Sequence, residues 1–440
     1  MIIGDAVSNV KKKYLREGSF RKDFITLSVG RIASQVVPLL VTPILTRLYT
    51  PDEFGIYAIF LSLVTVVALI ANGRYNLAIT LPKKLNKATE LLLICLIGVI
   101  SVTLLTFLLF ISFNGPILEI LALEGKNSFV FLVPLGILIV AGIESIYYWL
   151  LRRRVYKFLS FSFVVNTSVA TLLKVLFAFL NGGWLGLIVA YLIGALFSLI
   201  LLIGKFLKES DIVETVKSLE KKELFKTAKS YKDFPLYSMP ADGVNSFANQ
   251  LPNLLLNNFF NSAVVGFYSL TQNVLGLPIK FISSAMTDVY RERASVDCRE
   301  KGNCKKIYLA TLKNLILFSI IPFVLLFIFA PTLIPFILGE QWTDVGAYIR
   351  ILTPLFLFRF IASPLGSTLY ITGKQKYFLI WQIGLLILTA GSFYIGNMIG
   401  DEYSSLALFS GSYSVMYVIL LILGYKFSTT VNEETTRENK

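Results

Sequence analysis

Runs of about 20 apolar residues recur along the whole chain, separated by short polar breaks. Each run is long enough to cross ~30 Å of hydrocarbon as a helix rising ~1.5 Å per residue. The pattern predicts twelve transmembrane helices: 24–46, 53–72, 89–113, 129–150, 158–180, 185–204, 234–256, 263–287, 313–338, 347–370, 378–397 and 405–425. Spans 234–256 and 263–287 carry charge, Asn and Pro, and window hydropathy rates them poorly. Between spans one and two the stretch Leu45–Phe60, "LTRLYTPDEFGIYAIF", stops the apolar run and restarts it at once. Its "TPDE" has the pattern of a helix start. Thr50 is the N-cap, Pro51 the first helical residue and Glu53 the reciprocal partner of a capping box, and the acids suit the positive helix end.

The longest polar segment, Lys205–Phe234, divides the spans into two groups of six. Its Ile212, Val216 and Leu219 share one helical face, with lysines on the other, as in a helix lying along a membrane surface. A shift of 211 residues lays Leu45–Ile59 over Leu256–Leu270, so that Gly55 falls on Gly266, Tyr57 on Tyr268, and Leu48-Tyr49 on Phe259-Phe260. Six spans per half make the repeats parallel. In transporters built on such repeats the substrate site is expected where the repeats meet. The predicted fold is therefore all-α and polytopic: two parallel six-helix bundles (24–204 and 234–425) around a central cavity, with an N-terminal segment 1–23, a linker 205–233 and a tail 426–440.

Composition agrees, with 55% hydrophobic and 15% charged residues. A net charge of +14 would suggest nucleic acid in a soluble protein, but its placement points elsewhere. Of 41 Lys and Arg, 33 fall in the termini and alternate breaks, and only Arg47 and Lys126 in the others. That asymmetry is a topology signal: both termini cytoplasmic, no nucleic-acid partner. The N-terminal stretch is too polar, and the run after it too long, for a cleaved signal, so an uncleaved first helix is expected. Three cysteines make no disulfide framework, and Cys298 and Cys304 are spaced too widely for a usual zinc pair.

Charges inside spans carry the candidate chemistry. Arg31 of span one corresponds to Asp242 of span seven under the repeat shift, each roughly 10–12 Å deep. Asp242, Asn245, Asn249 and Asn253 share a helical face, and Arg31, Gln35, Thr42 and Thr46 repeat it more mildly. Both helices contain prolines (Pro38, Pro43; Pro235, Pro240, Pro252), and interrupted helices at matching places in two repeats point to a transport site. Lys280 lies on a polar stripe of span eight with Gly276 and Ser284, Lys174 on one of span five with Thr167 and Thr171, and Arg359 at the middle of span ten near Ser363. A charge at a helix centre costs about 2.5–3.5 kcal/mol on the insertion scale, so these groups imply a wet or paired environment.

Structural readings stand beside the functional ones: Arg31 and Asp242 as a mutual ion pair, Glu144 as partner of any cation, Lys174 and Lys280 snorkelling, and Arg350 reaching the interface. The balance of buried charge is cationic, which suits an anionic cargo, above all phosphate. The absence of histidine excludes His-based catalysis and His metal sites, and no phosphate-binding loop matches. Short outer loops leave no acceptor domain for an integral transferase, so neither an enzyme nor a cofactor is expected.

"RIASQVVPLLVTPILTRLYTPDEFGIYAIF" (Arg31–Phe60) and "VGFYSLTQNVLGLP" (Val265–Pro278), with the basic loops and twelve spans, resemble the polysaccharide or O-antigen (Wzx-type) flippases of the multidrug/oligosaccharidyl-lipid/polysaccharide exporter superfamily. The resemblance covers about residues 20–428 and brings no invariant catalytic motif. It implies movement of undecaprenyl-pyrophosphate-linked oligosaccharide across the bacterial inner membrane by alternating access, coupled to an H+ or Na+ gradient, with a polysaccharide polymerase as a further partner. On that reading Arg31 and Arg359 contact phosphate or acidic sugar and Lys174 and Lys280 assist. Asn245, Asn249 and Asn253 bind sugar, and Asp242 or Glu144 takes the coupling cation. A drug exporter of the same superfamily and a sugar-transferring membrane enzyme are the alternatives.

Overall fold

In the computed structural model, residues 20–208 and 221–429 are described. Twelve long helices stand at the predicted places among them: α1 Phe20–Leu48, α2 Pro51–Ala71, α3 Leu85–Ser112, α4 Phe129–Arg152, α5 Tyr156–Phe179, α6 Gly183–Lys208, α7 Met239–Phe259, α8 Ser262–Pro278, α9 Lys305–Leu338, α10 Thr343–Leu365, α11 Gln375–Ile399 and α12 Glu402–Ser428. The described residues contain no strand. Ten of the helical segments are long and apolar enough to cross a membrane, and α7 and α8, the two polar spans, are not among them. The protein is an all-α, multi-pass membrane protein.

The two polar spans are also where helical geometry departs from α. Single π turns lie at Phe234–Ser238, before α7, and at Ile279–Ser283, after α8, from which the helix continues as Ser284–Lys301. Each π turn adjoins a proline: Pro240 follows the first and Pro278 precedes the second. A missing N–H and the clash of the ring with the preceding turn disfavour regular i→i−4 bonding there. The spacing pattern ends this span at residue 287. The helix instead runs on to Lys301, because its continuation is polar and needs no membrane.

The chain folds as two compact units. Among the described residues, one contains those up to Tyr49 and from Phe60 to Ser246, the other Thr50–Ile59 and those from Phe247 onward. In the first unit α1 packs on α5, α5 on α6, α3 on α4 and α4 on α6. Its core gathers Ile79, Leu91, Leu92, Cys95, Trp149, Leu150 and Leu159, all fully buried. Small residues admit the helices: a Cβ added at Gly194 would lie 2.6 Å from the Asn166 carbonyl oxygen.

Ile212, Val216 and Leu219 of the linker lie outside the described residues. The later part of the same segment forms the helix Lys221–Ser230, which packs within the first unit. The buried Thr227 hydroxyl donates to the buried carboxylate of Glu90, and Tyr75 Oη donates to the Ala228 carbonyl at 3.1 Å.

In the second unit α9 packs on α10, α10 on α12, α11 on α12 and α8 on α10. Thr50–Ile59, the start of α2, belongs to this unit. It begins with the predicted capping box: Thr50 N–H donates to Glu53 Oε2 at 2.8 Å and Glu53 N–H to Thr50 Oγ1 at 3.3 Å. The matching start of α8 is capped by Asn261, whose Oδ1 accepts from Val264 N–H at 3.0 Å. Here the helices touch through the two glycines that the repeat alignment pairs. A Cβ on Gly55 would fall 1.6 Å from the Ser262 carbonyl oxygen, and one on Gly266 2.0 Å from that of Pro51. Phe54 and Phe267 close the contact edge-on against the buried Trp342, at 5.2 and 5.9 Å between ring centroids.

Arg350, exposed, donates from Nε to the Phe327 carbonyl at 3.0 Å and from Nη2 to that of Ile328 at 3.4 Å. Pro331, with no N–H, leaves the Phe327 oxygen without its helical donor, and the guanidinium supplies one.

Candidate functional site

Between α2 and α3 the chain reads "NGRYN", Asn72–Asn76, and folds into a tight turn with Gly73 and Arg74 both left-handed (φ 55° and 57°). Glycine adopts that conformation without cost, whereas arginine is held in it. What holds Arg74 is a pair of carboxylates. Its Nε donates to Asp242 Oδ2 at 2.7 Å, its Nη2 lies 2.6 Å from the same oxygen, and its Nη1 donates to Glu144 Oε1 at 3.4 Å. Asn72 Nδ2 donates to the other Glu144 oxygen at 3.1 Å, and the fully buried Asn76 adjoins the same carboxylate.

The Arg74 side chain is 15% exposed, and those of Glu144 and Asp242 are 30% and 39% exposed. One guanidinium between two carboxylates leaves the group with one uncompensated negative charge. Such a group can take up a single cation, because neutralising either acid relieves its repulsion with the other while Arg74 remains paired. Both ion-coupling candidates, Asp242 and Glu144, are thus brought together. Neither partners Arg31, so Arg74 replaces the Arg31–Asp242 ion pair weighed from the sequence.

Arg31 instead donates from Nη2 to Tyr147 Oη at 3.1 Å and stands over the Phe163 ring, 5.7 Å from its centroid. Tyr147 packs edge-on against Tyr148 at 5.4 Å, and Tyr148 lies within electrostatic reach of Arg31, Arg74 and Glu144 alike. Arg31, exposed and aromatic-stacked, is therefore in the neighbourhood of the acidic pair without neutralising it. Lys174 is placed elsewhere in this unit, near the far end of α5. Its carbonyl accepts from the buried Tyr49 hydroxyl at 2.7 Å, and its side chain is half-buried.

The stripe on α7 divides between the units: Asp242 and the exposed Asn245 belong to the first, the exposed Asn249 and the buried Asn253 to the second. Asn253 Nδ2 faces Gln250 Oε1 at 3.3 Å. In the second unit Arg359 is half-buried, 5.9 Å from the Phe356 ring centroid. Around it stand three tyrosines from two helices, Tyr268, Tyr413 and Tyr417, each within reach of its charge. Gln272 Nε2 donates to Tyr268 Oη at 2.5 Å, and Thr389 Oγ1 donates to Tyr413 Oη at 2.9 Å. A guanidinium among hydroxyls and an amide is an arrangement that can bind an anion and hydrogen-bond a polyol. Lys280 is exposed on the π turn after α8, and its carbonyl accepts from Ser284 Oγ at 2.5 Å. It is not among the groups around Arg359.

Sequence reasoning placed Arg74 among the basic residues of an inner loop and missed the tyrosines. The available signal for the first was Asn–Gly–Arg–Tyr–Asn directly after an apolar span, a polar turn with a glycine where lipid-facing loops need only lysines. For the second it was Tyr268, already singled out as the partner of Tyr57 in the repeat.

The stack of long apolar helices is that of a multi-pass membrane protein. Solved structures carry the same fold over nearly the whole chain. An inward-facing multidrug resistance MATE family transporter of the MOP superfamily superposes with a TM-score of 0.63 at 15% identity, covering 99% of this chain and 100% of that one. The MATE multidrug transporter DinF-BH gives 0.63 at 18% identity over 94% and 96%.

The chain belongs to the family described as polysaccharide biosynthesis protein, whose model matches residues 44–347. It is similar to the teichuronic acid biosynthesis protein TuaB of Bacillus subtilis (strain 168), 21% identical over 44% of this chain and 40% of the relative. It is also similar to the amylovoran biosynthesis protein AmsL of Erwinia amylovora, 19% identical over 44% and 49%. The match thus spans less than half the length of either relative.

Proposed function

We propose that the protein is a flippase that moves undecaprenyl-pyrophosphate-linked oligosaccharide from the inner to the outer leaflet of the bacterial cytoplasmic membrane, with both termini cytoplasmic. The observation that carries this is the joining of two things in one chain: membership of a polysaccharide biosynthesis family and a transporter fold along its whole length. A biosynthetic family needs transport where its intermediate has a charged, hydrated head that cannot cross hydrocarbon unaided. The tyrosine-ringed Arg359 offers a phosphate or acidic-sugar contact with hydroxyls for the saccharide. The Arg74–Glu144–Asp242 group offers the site at which H+ or Na+ biases the conformational equilibrium. In this reading the chain forms and breaks no covalent bond and hands its cargo to a polymerase at the outer leaflet.

The rival reading is export of a small cation or drug, favoured by the multidrug transporters among the structural neighbours. Deletion of the gene, followed by isolation of lipid-linked saccharide, decides between them. Complete repeat units retained on the inner leaflet support flipping. Unchanged lipid-linked saccharide, with lost resistance to organic cations, supports the rival. Truncated units would point to an enzyme.

A further inference from the structure

The first unit holds a second cationic site that the translocation reading does not use. Beneath the end of α4 lies a cavity of about 690 Å³, lined by Lys83, Leu85, Arg152, Arg153, Arg154 and Tyr156 among others, with no carboxylate in its lining. One wall is fixed. Arg152 donates from Nη1 to the carbonyls of Ile79 (3.4 Å) and Thr80 (3.2 Å), and from Nη2 to that of Lys83 (3.3 Å). It thereby ties the turn before α3 to the end of α4. Arg153 and Arg154 are exposed, Arg153 with its guanidinium 5.8 Å from the Trp149 ring centroid and Arg154 in the left-handed conformation at φ 58°. Two long helices, α3 and α5, begin at the cavity, with Leu85 and Tyr156 as their first residues. Neither start is capped by a side chain, since Lys84 and Val155 at the N-cap positions offer no acceptor. The free amides of two first turns therefore add partial positive charge to that of four cationic side chains.

We propose that this cavity binds the phosphate of a membrane lipid headgroup. The volume suits a phosphodiester or diphosphate with part of its ester. The fork of a guanidinium matches two phosphate oxygens, and the site stands at the end of the spans where basic residues concentrate. The source of the phosphate is either a resident anionic phospholipid or a polyprenyl diphosphate. As a phospholipid site it is independent of the cargo, and as a polyprenyl diphosphate site it rests on the flippase reading.

The test uses the purified full chain, with the lipid retained after detergent exchange measured by native mass spectrometry. Probes are phosphatidylglycerol, phosphatidylcholine and a short-chain polyprenyl diphosphate. Wild type is expected to retain phosphatidylglycerol over phosphatidylcholine in a salt-sensitive manner. Lys83→Gln/Arg153→Gln/Arg154→Gln, which spares the structural Arg152, should weaken that retention on the order of 100-fold, at roughly fivefold per cation. Displacement of phosphatidylglycerol by the diphosphate assigns the site to a carrier lipid, and persistence assigns it to a phospholipid. Equal retention of the two phospholipids by wild type, or undiminished retention in the triple variant, overturns the proposal. Should the triple variant fail to fold, Arg154→Gln alone, at an exposed position, carries the same comparison with a roughly fivefold effect.

Discussion

Replacing Arg74 by Met keeps the bulk of the side chain and removes its charge. Glu144 and Asp242 then face each other with only Asn72 and Asn76 as partners. A fully exposed ion pair is worth about 0–1 kcal/mol and the loss of one partner of a buried pair costs about 3–5 kcal/mol. With Arg74 15% exposed and the acids 30% and 39% exposed, the group lies between these limits. Solvent screening of the half-open acids discounts the buried figure, so Arg74→Met should cost about 2 kcal/mol. Part of that cost is repulsion between two carboxylates, which a second substitution can remove.

In Arg74→Met/Asp242→Asn one uncompensated acid remains instead of two, and the double variant should be more stable than Arg74→Met alone. Apparent melting temperature in detergent, followed for the wild type, Arg74→Met, Asp242→Asn and the double variant, gives the coupling directly. Transport in cells separates the roles. If Asp242 serves only to hold α7, the double variant regains export together with stability. If it also takes the coupling cation, stability returns and export does not. Two results would refute the reasoning: a melting temperature unchanged in Arg74→Met, or strictly additive effects of the two substitutions.

Gly55→Ala and Gly266→Ala should each destabilise by about 1–3 kcal/mol, because methyls 1.6 and 2.0 Å from backbone oxygens must force two helix starts apart. Gly411→Ala, where nothing lies within 4 Å, should stabilise by about 1 kcal/mol; thermal unfolding of all three reads the opposite signs. Arg359→Glu should abolish surface polysaccharide while the protein remains in the membrane at normal level, and normal export by that variant removes Arg359 from the site. Asp401 caps α12 by accepting from Ser404 N–H and Oγ, both at 2.6 Å, and these bonds hold its carboxyl below the usual carboxylate range. Its stabilising effect is therefore present above about pH 4, the unfolded value, and is lost as pH falls through the lower folded one. Asp401→Asn, neutral at every pH, should melt somewhat lower at neutral pH and lose that acid-dependent step.

The apolar spans and the helix cap at Thr50 were legible because each is written in local residue order: an apolar run, a proline, a Thr–x–x–Glu spacing. The partners of the charges were not. Arg74 sits in a break that also contains Lys83, Lys84 and Lys87, and a count of positive loops gives all four the same meaning. Only the fold distinguishes an arginine turned back on two acids 70 and 168 residues away from lysines that meet water or headgroups. Arg350 is a second case: its position three residues inside a predicted span gives no hint of its acceptors, two carbonyls on another helix, one of them released by a proline. Glu144 and Asp242 were found because an acid inside an apolar run is locally anomalous, and their common partner was missed because an arginine outside one is not.

The glycine pair shows what an internal repeat can and cannot disclose. Superposing two copies of a sequence matches positions that play the same role in each half, and such positions need not touch. Gly55 and Gly266 do touch, across the starts of α2 and α8 within one compact unit, so the two copies of this helix start are packed on one another near a local pseudo-dyad. A contact on such an axis constrains both copies at once, because a side chain gained by either displaces the backbone of the other. The pair is thus kept in both halves for a packing reason, even though the cap beside it differs, Thr–x–x–Glu in one and a lone Asn261 in the other. Charge is under no such constraint. One helix back in each copy, Arg31 and Asp242 have opposite sign and different partners, and it is at these divergent positions that the two halves acquire separate chemistry.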